Sequence, residues 1–264
     1  MTVILFIIAF LATANSIIRY KKRQYNHLTF EPTEPTHTQL DEEAFFAFAQ
    51  QYMRRNFIFF NDMQDTEQNK YVKRMIEFIK EKRIVGMDSV IIDNECLVLV
   101  SMPAIRITFG LEEYILPNIR TIGVYPSIFY NNYIQQEAKG LTFVTGVTYF
   151  SLEHLKHGNI DINDNLNLGL HEMSHAFKLY VDNFADSTSD LAEKMSEFTT
   201  HAETMLELIE DGRLDYLRDY AGTNTDEFFA VCIENFFEKS YDFRAALPNT
   251  YQKLAKMLNQ YPAG

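Results

Sequence analysis

The chain has 264 residues, of which 47% are hydrophobic, enough for one compact domain with a sizeable core. Its formal net charge of −12 argues against a nucleic-acid partner, because phosphate binding requires an excess of basic residues. The two cysteines, Cys96 and Cys232, lie in apolar surroundings, so we expect buried thiols rather than a disulfide.

The amino terminus carries an apolar segment. Residues 2–18 contain no charged side chain, which is near the lower limit of the about 17–25 residues that span a bilayer as a helix. Basic residues follow within 19–23, and the positive-inside rule then puts the rest of the chain in the cytoplasm. We therefore expect a single-pass membrane protein with a transmembrane anchor at 1–19. The alternative is export after cleavage of a signal peptide near Ala12–Ala14.

The remaining chain divides into a basic flank with a proline-containing linker, residues 20–38, and a body, residues 39–264. The body has an α+β pattern, in which a small mixed sheet is surrounded by helices. We predict strands near 86–92, 120–126 and 142–150, and helices near 39–54, 65–82, 189–210, 225–239 and 248–260. Residues 93–110 could be a buried helix or a strand, because periodicity alone does not separate the two.

The most informative segment is residues 171–175, which reads His-Glu-Met-Ser-His, the H-E-x-x-H pattern. In a helix, His171 and His175 lie one turn apart on the same face and can bind one zinc ion. Glu172 lies beside them and can act on a water molecule at that ion. The local sequence favours a helix over about 166–183. Its expected N-cap is Asp164 or Asn165, and its apolar stripe consists of Met173, Ala176, Phe177 and Tyr180.

A catalytic zinc ion needs a third protein ligand. Glu193 or Glu197 would give the short spacing of thermolysin-like enzymes. Glu227 and Glu234 lie in a helix that is apolar on almost every side, where a buried carboxylate is costly unless it is paired or binds metal. This argument favours Glu227 or Glu234. Two alternatives remain: Glu227 could complete a capping box with Asn224, and Glu234 could orient a zinc-bound histidine.

Two blocks of the sequence, NLGLHEMSHAFKL and RDYAGTNTDEFFAVCIENFFE, resemble the Mlc titration factor family, the glucose-regulated zinc metallopeptidases. The catalytic core of that family is similar to the anthrax lethal factor protease domain. The upstream segments IGVYPSIF and GLTFVTGVTYFSLEHL also resemble the family, so that the resemblance covers roughly residues 38–264. It implies a zincin-like metallopeptidase core, and it favours a helix over 93–110.

The resemblance also implies roles for individual residues. It makes His171, His175 and Glu227 the ligands of one zinc ion per chain, and Glu172 the general base. It makes Tyr220 the hydroxyl that stabilises the oxyanion or protonates the leaving group. Glu234 would support a zinc-bound histidine from behind. The chain departs from the family at position 178, where a lysine stands in place of the common acidic residue.

Two classes of function are compatible with these features. The first is a membrane-tethered zinc metallopeptidase that acts on a peptide or protein in the cytoplasm. The second is a metal-containing regulatory protein that sequesters a partner such as a transcriptional regulator, since the family includes a member that binds a repressor. An intact Glu172 favours the peptidase, because pure binding needs no base beside zinc. In the peptidase, the predicted strand 142–150 would be an edge strand that pairs with an extended substrate.

Overall fold

The computed structural model describes residues 40–158 and 166–263. Its helices are α1 (Glu42–Asn56), α2 (Ile58–Asn61), α3 (Asp65–Glu81), α4 (Asn94–Thr108), α5 (Leu152–His157), α6 (Leu168–Asn183), α7 (Asp190–Glu210), α8 (Thr225–Glu238), α9 (Ser240–Ala246) and α10 (Pro248–Leu258), with a 3-10 helix at Asp219–Gly222. Its strands are β1 (Arg83–Gly86), β2 (Thr121–Tyr125), β3 (Phe129–Asn131), β4 (Gln136–Ala138), β5 (Gly140–Phe143) and β6 (Val147–Ser151).

Four strands form a mixed sheet in the order β1-β2-β6-β5, which confirms the predicted α+β class. The pairs β1–β2 and β2–β6 are parallel, whereas β5 runs antiparallel to β6 and is the last strand of the sheet. A separate two-stranded ribbon, β3–β4, precedes β5. Since β5 directly follows the ribbon in the chain and ends the sheet, the ribbon and the sheet edge are neighbours.

The core lies between the sheet and the helices. Helix α4 is buried over nearly its whole length, which settles the ambiguity of residues 93–110 in favour of a helix. It begins after Asp93, whose side chain accepts a hydrogen bond from Cys96 N at 2.8 Å, a standard N-cap. Helix α6 packs against both α4 and α8. Cys96 and Cys232 are buried free thiols, as predicted.

Two of the strand predictions are wrong. Residues 86–92 are not a strand: β1 ends at Gly86, and Asp88 and Ser89 then adopt positive φ angles of 49° and 69° in a turn. Residues 142–150 are not one strand but two, joined by a turn in which Gly146 has a φ of 87°. Glycine adopts a positive φ without strain, so the chain turns at Gly146 and divides an apolar segment that has the pattern of one continuous strand. The remaining predicted helices and the strand near 120–126 are confirmed.

The predicted localisation, a single-pass membrane protein with a cytoplasmic catalytic domain, is corrected. Across residues 40–158 and 166–263, no helix combines the length and the apolar character needed to cross a membrane. The anchor predicted at 1–19, its signal-peptide alternative and the linker at 20–38 lie outside the described residues.

Candidate metal centre

The H-E-x-x-H segment lies in the first half of α6, as its spacing predicted. The N-cap is Asn167, whose Oδ1 accepts a hydrogen bond from Leu170 N at 2.9 Å, so the predicted caps at Asp164 or Asn165 are wrong. The predicted apolar stripe is confirmed, because Met173, Ala176, Phe177 and Tyr180 are all buried. The helix is thereby held in the core by one face, while the two histidines occupy another.

Helix α6 is pressed closely against its neighbours near the motif. A Cβ added at Gly169 would lie 2.5 Å from Cγ of Pro103 in α4, so only glycine permits this approach. Buried Asn118 donates a hydrogen bond from Nδ2 to the Ala176 carbonyl at 2.9 Å. These two contacts fix the depth of the helix and therefore the position of its histidines.

The three ligands implied by the family resemblance meet in one place. His171 Nε2 and His175 Nε2 are 3.2 Å apart, and Glu227 Oε2 lies 3.1 Å from the first and 3.6 Å from the second. One donor atom from each residue lies within 4.8 Å of the others. Neither Glu193 nor Glu197 belongs to this group of potential ligands.

The chemistry of this group fits a zinc ion. Glu227 Oε2 is buried and makes no hydrogen bond to any described residue, an arrangement that a bound cation would compensate. Burial raises the pKa of Glu227, but the rings of His171 and His175 outweigh it and hold the pKa well below its usual range. An ionised carboxylate with two imidazoles is a donor set that suits zinc, with room for a further ligand.

Glu227 is brought to the histidines by the start of α8. Asn224 is the N-cap, because its Oδ1 accepts hydrogen bonds from Asp226 N at 2.9 Å and Glu227 N at 3.0 Å. The cap at Asn224, which the sequence offered only as part of an alternative capping box, is therefore present. The Glu227 carboxylate contacts His171 and His175. The backbone N–H of Glu227 can therefore be capped by Asn224 while its side chain remains available to a metal ion.

Glu234 lies directly behind His171, where the sequence suggested a supporting carboxylate. It is 1% exposed, and its Oε1 lies 2.8 Å from His171 Nδ1. Arg218 Nη2 donates to the same oxygen at 2.6 Å, and Asn167 N donates to Oε2 at 3.0 Å. Burial lowers the pKa of His171, but Glu227 and Glu234 more than offset this and raise it to about 10. A carboxylate at Nδ1 orients the ring so that Nε2 faces the metal position.

Arg218 and Asn167 are two parts of this network that were not predicted from the sequence. Arg218 falls within the segment RDYAG, which the resemblance included without assigning it a role. A buried carboxylate such as that of Glu234 requires a charged or polar partner, so the existence of a partner could have been predicted. The sequence did not indicate which of the many cationic side chains it is. Only the fold shows that Arg218 is the one.

Glu172, the predicted base, points to the sheet edge. It is 6% exposed, and the hydroxyl of Thr142 in β5 donates to its Oε2 at 2.9 Å. Burial raises the pKa of this carboxyl group. A Cβ added at Gly140 would lie 2.6 Å from Glu172 Cγ, so the start of β5 must be glycine for the strand to approach α6 this closely. Thr142 and Gly140 were not identified from the sequence.

Tyr220 lies beside His171, in the 3-10 helix. Its ring centroid is 5.9 Å from that of His171, and half of its surface is exposed. Burial raises its pKa to about 12, and the negative charge of the nearby Glu227 carboxylate contributes. The hydroxyl therefore keeps its proton at neutral pH and is available as a donor.

Lys178 stands at the position where the family resemblance implied an acidic residue. Its Nζ lies 2.6 Å from Asp182 within α6 and 3.1 Å from Asp226 at the start of α8. The lysine thus makes two ion pairs with acidic side chains of this chain. One of them ties α6 to the beginning of the helix that carries Glu227.

Comparison with known proteins shows the family of this chain. The chain is similar to the uncharacterized protein slr2042 of Synechocystis sp., with 22% identity over an alignment covering 75% of this chain and 78% of that protein. Residues 33–259, which include the whole described centre, match the sequence pattern of the family described as glucose-regulated metallo-peptidase M90. The chain therefore belongs to the glucose-regulated metallo-peptidase M90 family, as its two helical motifs indicated.

Proposed function

We propose that this protein is a zinc-dependent metallopeptidase with a zincin-like core that hydrolyses peptide bonds. The observation that carries this proposal is the meeting of His171, His175 and Glu227 at one point, with the buried carboxyl group of Glu172 beside them. Membership of a metallopeptidase family supports the same reaction class.

The reaction requires Glu172 to move a proton. Zinc, when bound to the three ligands, would lower the pKa of a water molecule and polarise the substrate carbonyl. The Glu172 carboxylate accepts a proton from the attacking water and then delivers it to the departing amine. The raised pKa that burial gives Glu172 suits this exchange, because it brings the group closer to neutral pH. The Thr142 hydroxyl holds the carboxylate in place through its hydrogen bond to Oε2.

Tyr220 supplies a second donor. As the carbonyl oxygen of the scissile bond becomes negative, a hydroxyl directed at it stabilises the developing charge. Tyr220 suits this task because it stays protonated, lies beside His171 and is half exposed towards an incoming substrate. Its contact with Glu227 would be exchanged for one with the substrate.

The edge strand β5 offers a backbone for an extended substrate. Ser151 N of β6 donates a hydrogen bond to Lys139 O at 2.7 Å, so Lys139 directs its backbone groups towards β6. In an antiparallel ladder every second residue does the same, and Leu141 and Phe143 therefore also direct their N–H and C=O groups towards β6. The N–H and C=O groups of Thr142 therefore point to the outer edge, where no described strand pairs with β5. We infer that a peptide adds to this edge as a further strand, next to Glu172.

A matched pair of variants tests the proposal. Glu172→Gln preserves the shape of the side chain but accepts no proton, so we expect zinc content to be unchanged and hydrolysis of a peptide library to fall by about 10²–10⁴-fold. Glu227→Ala removes a proposed ligand, so bound zinc itself should fall. Metal analysis and mass spectrometry of the digested library measure both.

The outcomes separate the alternatives. Zinc content that is unaffected in Glu227→Ala would return the third-ligand position to Glu193 or Glu197. A zinc-loaded wild type that cleaves nothing in the library would contradict the peptidase. It would favour instead a metal-containing regulatory protein that sequesters a partner.

A further inference from the structure

An aromatic cluster covers the face of the sheet that is turned away from α6. Thr142 faces Glu172, so its neighbours Leu141 and Phe143 project from the opposite face of β5. Tyr149 of β6 lies directly across from Leu141, and its ring centroid is 6.1 Å from that of Phe143. The cluster continues inward to Tyr125, whose ring centroid is 5.8 Å from that of Tyr149.

The β3–β4 ribbon covers part of this cluster. Phe129 at its start stacks on Tyr125 with centroids 4.3 Å apart, and it is buried. Tyr133 in the turn of the ribbon meets Phe143 edge to face at 5.8 Å. The inner part of the cluster is thereby closed, whereas the part at the free edge is open: Tyr133 is 41% exposed, and Leu141 and Phe143 are only partly buried.

A substrate strand added to β5 would direct alternate side chains to the two faces of the sheet. Residues that lie directly opposite each other on paired strands project from the same face. A substrate residue opposite Thr142 therefore faces the metal centre, and its immediate neighbours face Leu141 and Phe143. The outer part of the cluster thus adjoins the path of a substrate strand that passes the metal centre on the other face of the sheet.

We propose that Leu141, Phe143 and Tyr133 form an apolar subsite that selects substrates with an aromatic or large aliphatic side chain next to the residue that faces the metal. This inference rests on the proposed peptidase function and adds the class of substrate. The physical reason is that an apolar substrate side chain buries its surface against the three residues, whereas a charged one loses hydration there without gaining a partner.

The experiment compares side-chain preferences of the zinc-loaded full chain. Peptides of one scaffold are varied at each of the three positions on either side of the cleaved bond, and kcat/KM is measured for each. We expect kcat/KM to favour phenylalanine or leucine over aspartate by about tenfold or more, either at one position next to the cleaved bond or at the two positions that flank the metal-facing residue. Phe143→Ser should reduce that ratio several-fold, and Phe143→Leu should largely preserve it.

Controls separate this result from a general loss of structure. Tyr241→Ala removes an exposed aromatic residue of α9 outside the cluster and should leave the preference unchanged. If Phe143→Ser loses zinc or fails to fold, Tyr133→Ser replaces it, because Tyr133 lies on the exposed ribbon turn rather than in β5.

Each outcome decides a different point. A wild type that binds zinc but cleaves no peptide contradicts the proposed function itself. A wild type that cleaves peptides without an apolar preference at any of these positions overturns the subsite alone. So does a preference that survives both Phe143→Ser and Tyr133→Ser.

Discussion

His171 contacts two carboxylates, one at each nitrogen of its ring. Glu227 lies 3.1 Å from Nε2, the nitrogen that faces the proposed metal position, and Glu234 lies 2.8 Å from Nδ1 on the opposite side of the ring. A histidine ligand commonly donates its second N–H in this way, which sets the tautomer and the direction of the ring. Glu234 is in turn held by Arg218, so the orientation of His171 depends on an ion pair that does not touch the metal position.

Glu234→Gln should therefore weaken metal binding without removing a ligand. The amide keeps an acceptor for Arg218 but no longer offers a carboxylate to His171 Nδ1, and we expect zinc affinity to fall by about 10–100-fold. Competition with a chelator measures this change. Glu238→Gln is the matched control, because Glu238 lies one turn further along α8 and accepts from Asn167 Nδ2 at 2.9 Å. Equal losses in the two variants would contradict a specific role for Glu234.

Tyr220→Phe tests the proposed oxyanion donor. The ring and its packing beside His171 remain, but the hydroxyl is lost, so we expect kcat to fall by about 10²–10³-fold. Zinc content and the free energy of unfolding should change little, because half of the side chain is exposed. An unchanged kcat would show that another group stabilises the developing charge.

At the scale of secondary-structure elements, the approach of β5 to α6 organises the site. Thr142 and Glu172 belong to elements that are distant in sequence, yet their side chains are 2.9 Å apart. This approach is possible because Gly140 has no side chain where β5 passes Glu172 and Leu168. The short turn after β5 then returns the chain through β6, which holds β5 from its other side.

Gly140→Ala should separate the two elements. The added methyl group would lie 2.6 Å from both Glu172 Cγ and Leu168 Cδ1, and we expect the free energy of unfolding to fall by about 1–3 kcal/mol. Activity should fall as well, because the Thr142–Glu172 hydrogen bond is displaced. Urea unfolding and kcat/KM measure the two effects.

Gly212→Ala is the control for the Gly140 variant. Gly212 has a φ of 66° and no atom within 4 Å of an added Cβ, so the substitution strains only the backbone. It should lower the free energy of unfolding by about 1 kcal/mol and leave kcat/KM unchanged. Full activity in Gly140→Ala would contradict the importance of the close approach.

At the scale of the whole molecule, one buried lysine makes stability depend on pH. Lys82 is 3% exposed, and its Nζ donates to the Leu116 carbonyl at 3.1 Å and lies 4.9 Å from the centre of the Phe78 ring. Burial lowers its pKa to about 8. In the unfolded chain a lysine titrates near its ordinary pKa of about 10.4, so from about pH 8 to 10 the unfolded state holds more protons than the folded one.

The contribution of Lys82 to stability should therefore increase as pH rises through this window. Relative to Lys82→Met, the wild type should gain up to about 1 kcal/mol of unfolding free energy per pH unit between pH 8 and pH 10. Urea unfolding of both proteins at several pH values measures the difference. Parallel pH profiles would show that Lys82 keeps its proton in the folded protein.

Local features of the site could be read from the sequence because they depend on neighbouring residues. Helical periodicity places His171 and His175 on one face, and the residue type of Asn224 made it a candidate cap. The cap of α6 was missed by two residues or more, since Asp164, Asn165 and Asn167 are all suitable in composition and only backbone geometry distinguishes them. The hairpin of β5 and β6 was not predicted either, because the only glycine of its turn, Gly146, lies within a mostly apolar segment that resembles one strand.

The paired-histidine motif of α6, with a carboxylate beside it, could be predicted from the chain alone, because every part of that motif lies within about one helical turn. The burial argument and the family resemblance favoured Glu227 over Glu193 and Glu197, but the arrival of its carboxylate at both histidines follows from the packing of the fold. The packing also brings the Arg218 guanidinium to the Glu234 carboxylate, to which it donates a hydrogen bond. These contacts depend on distances between residues remote in the chain, which are set by the packing of α6 against α4, α8 and β5 and leave no periodic trace in the sequence.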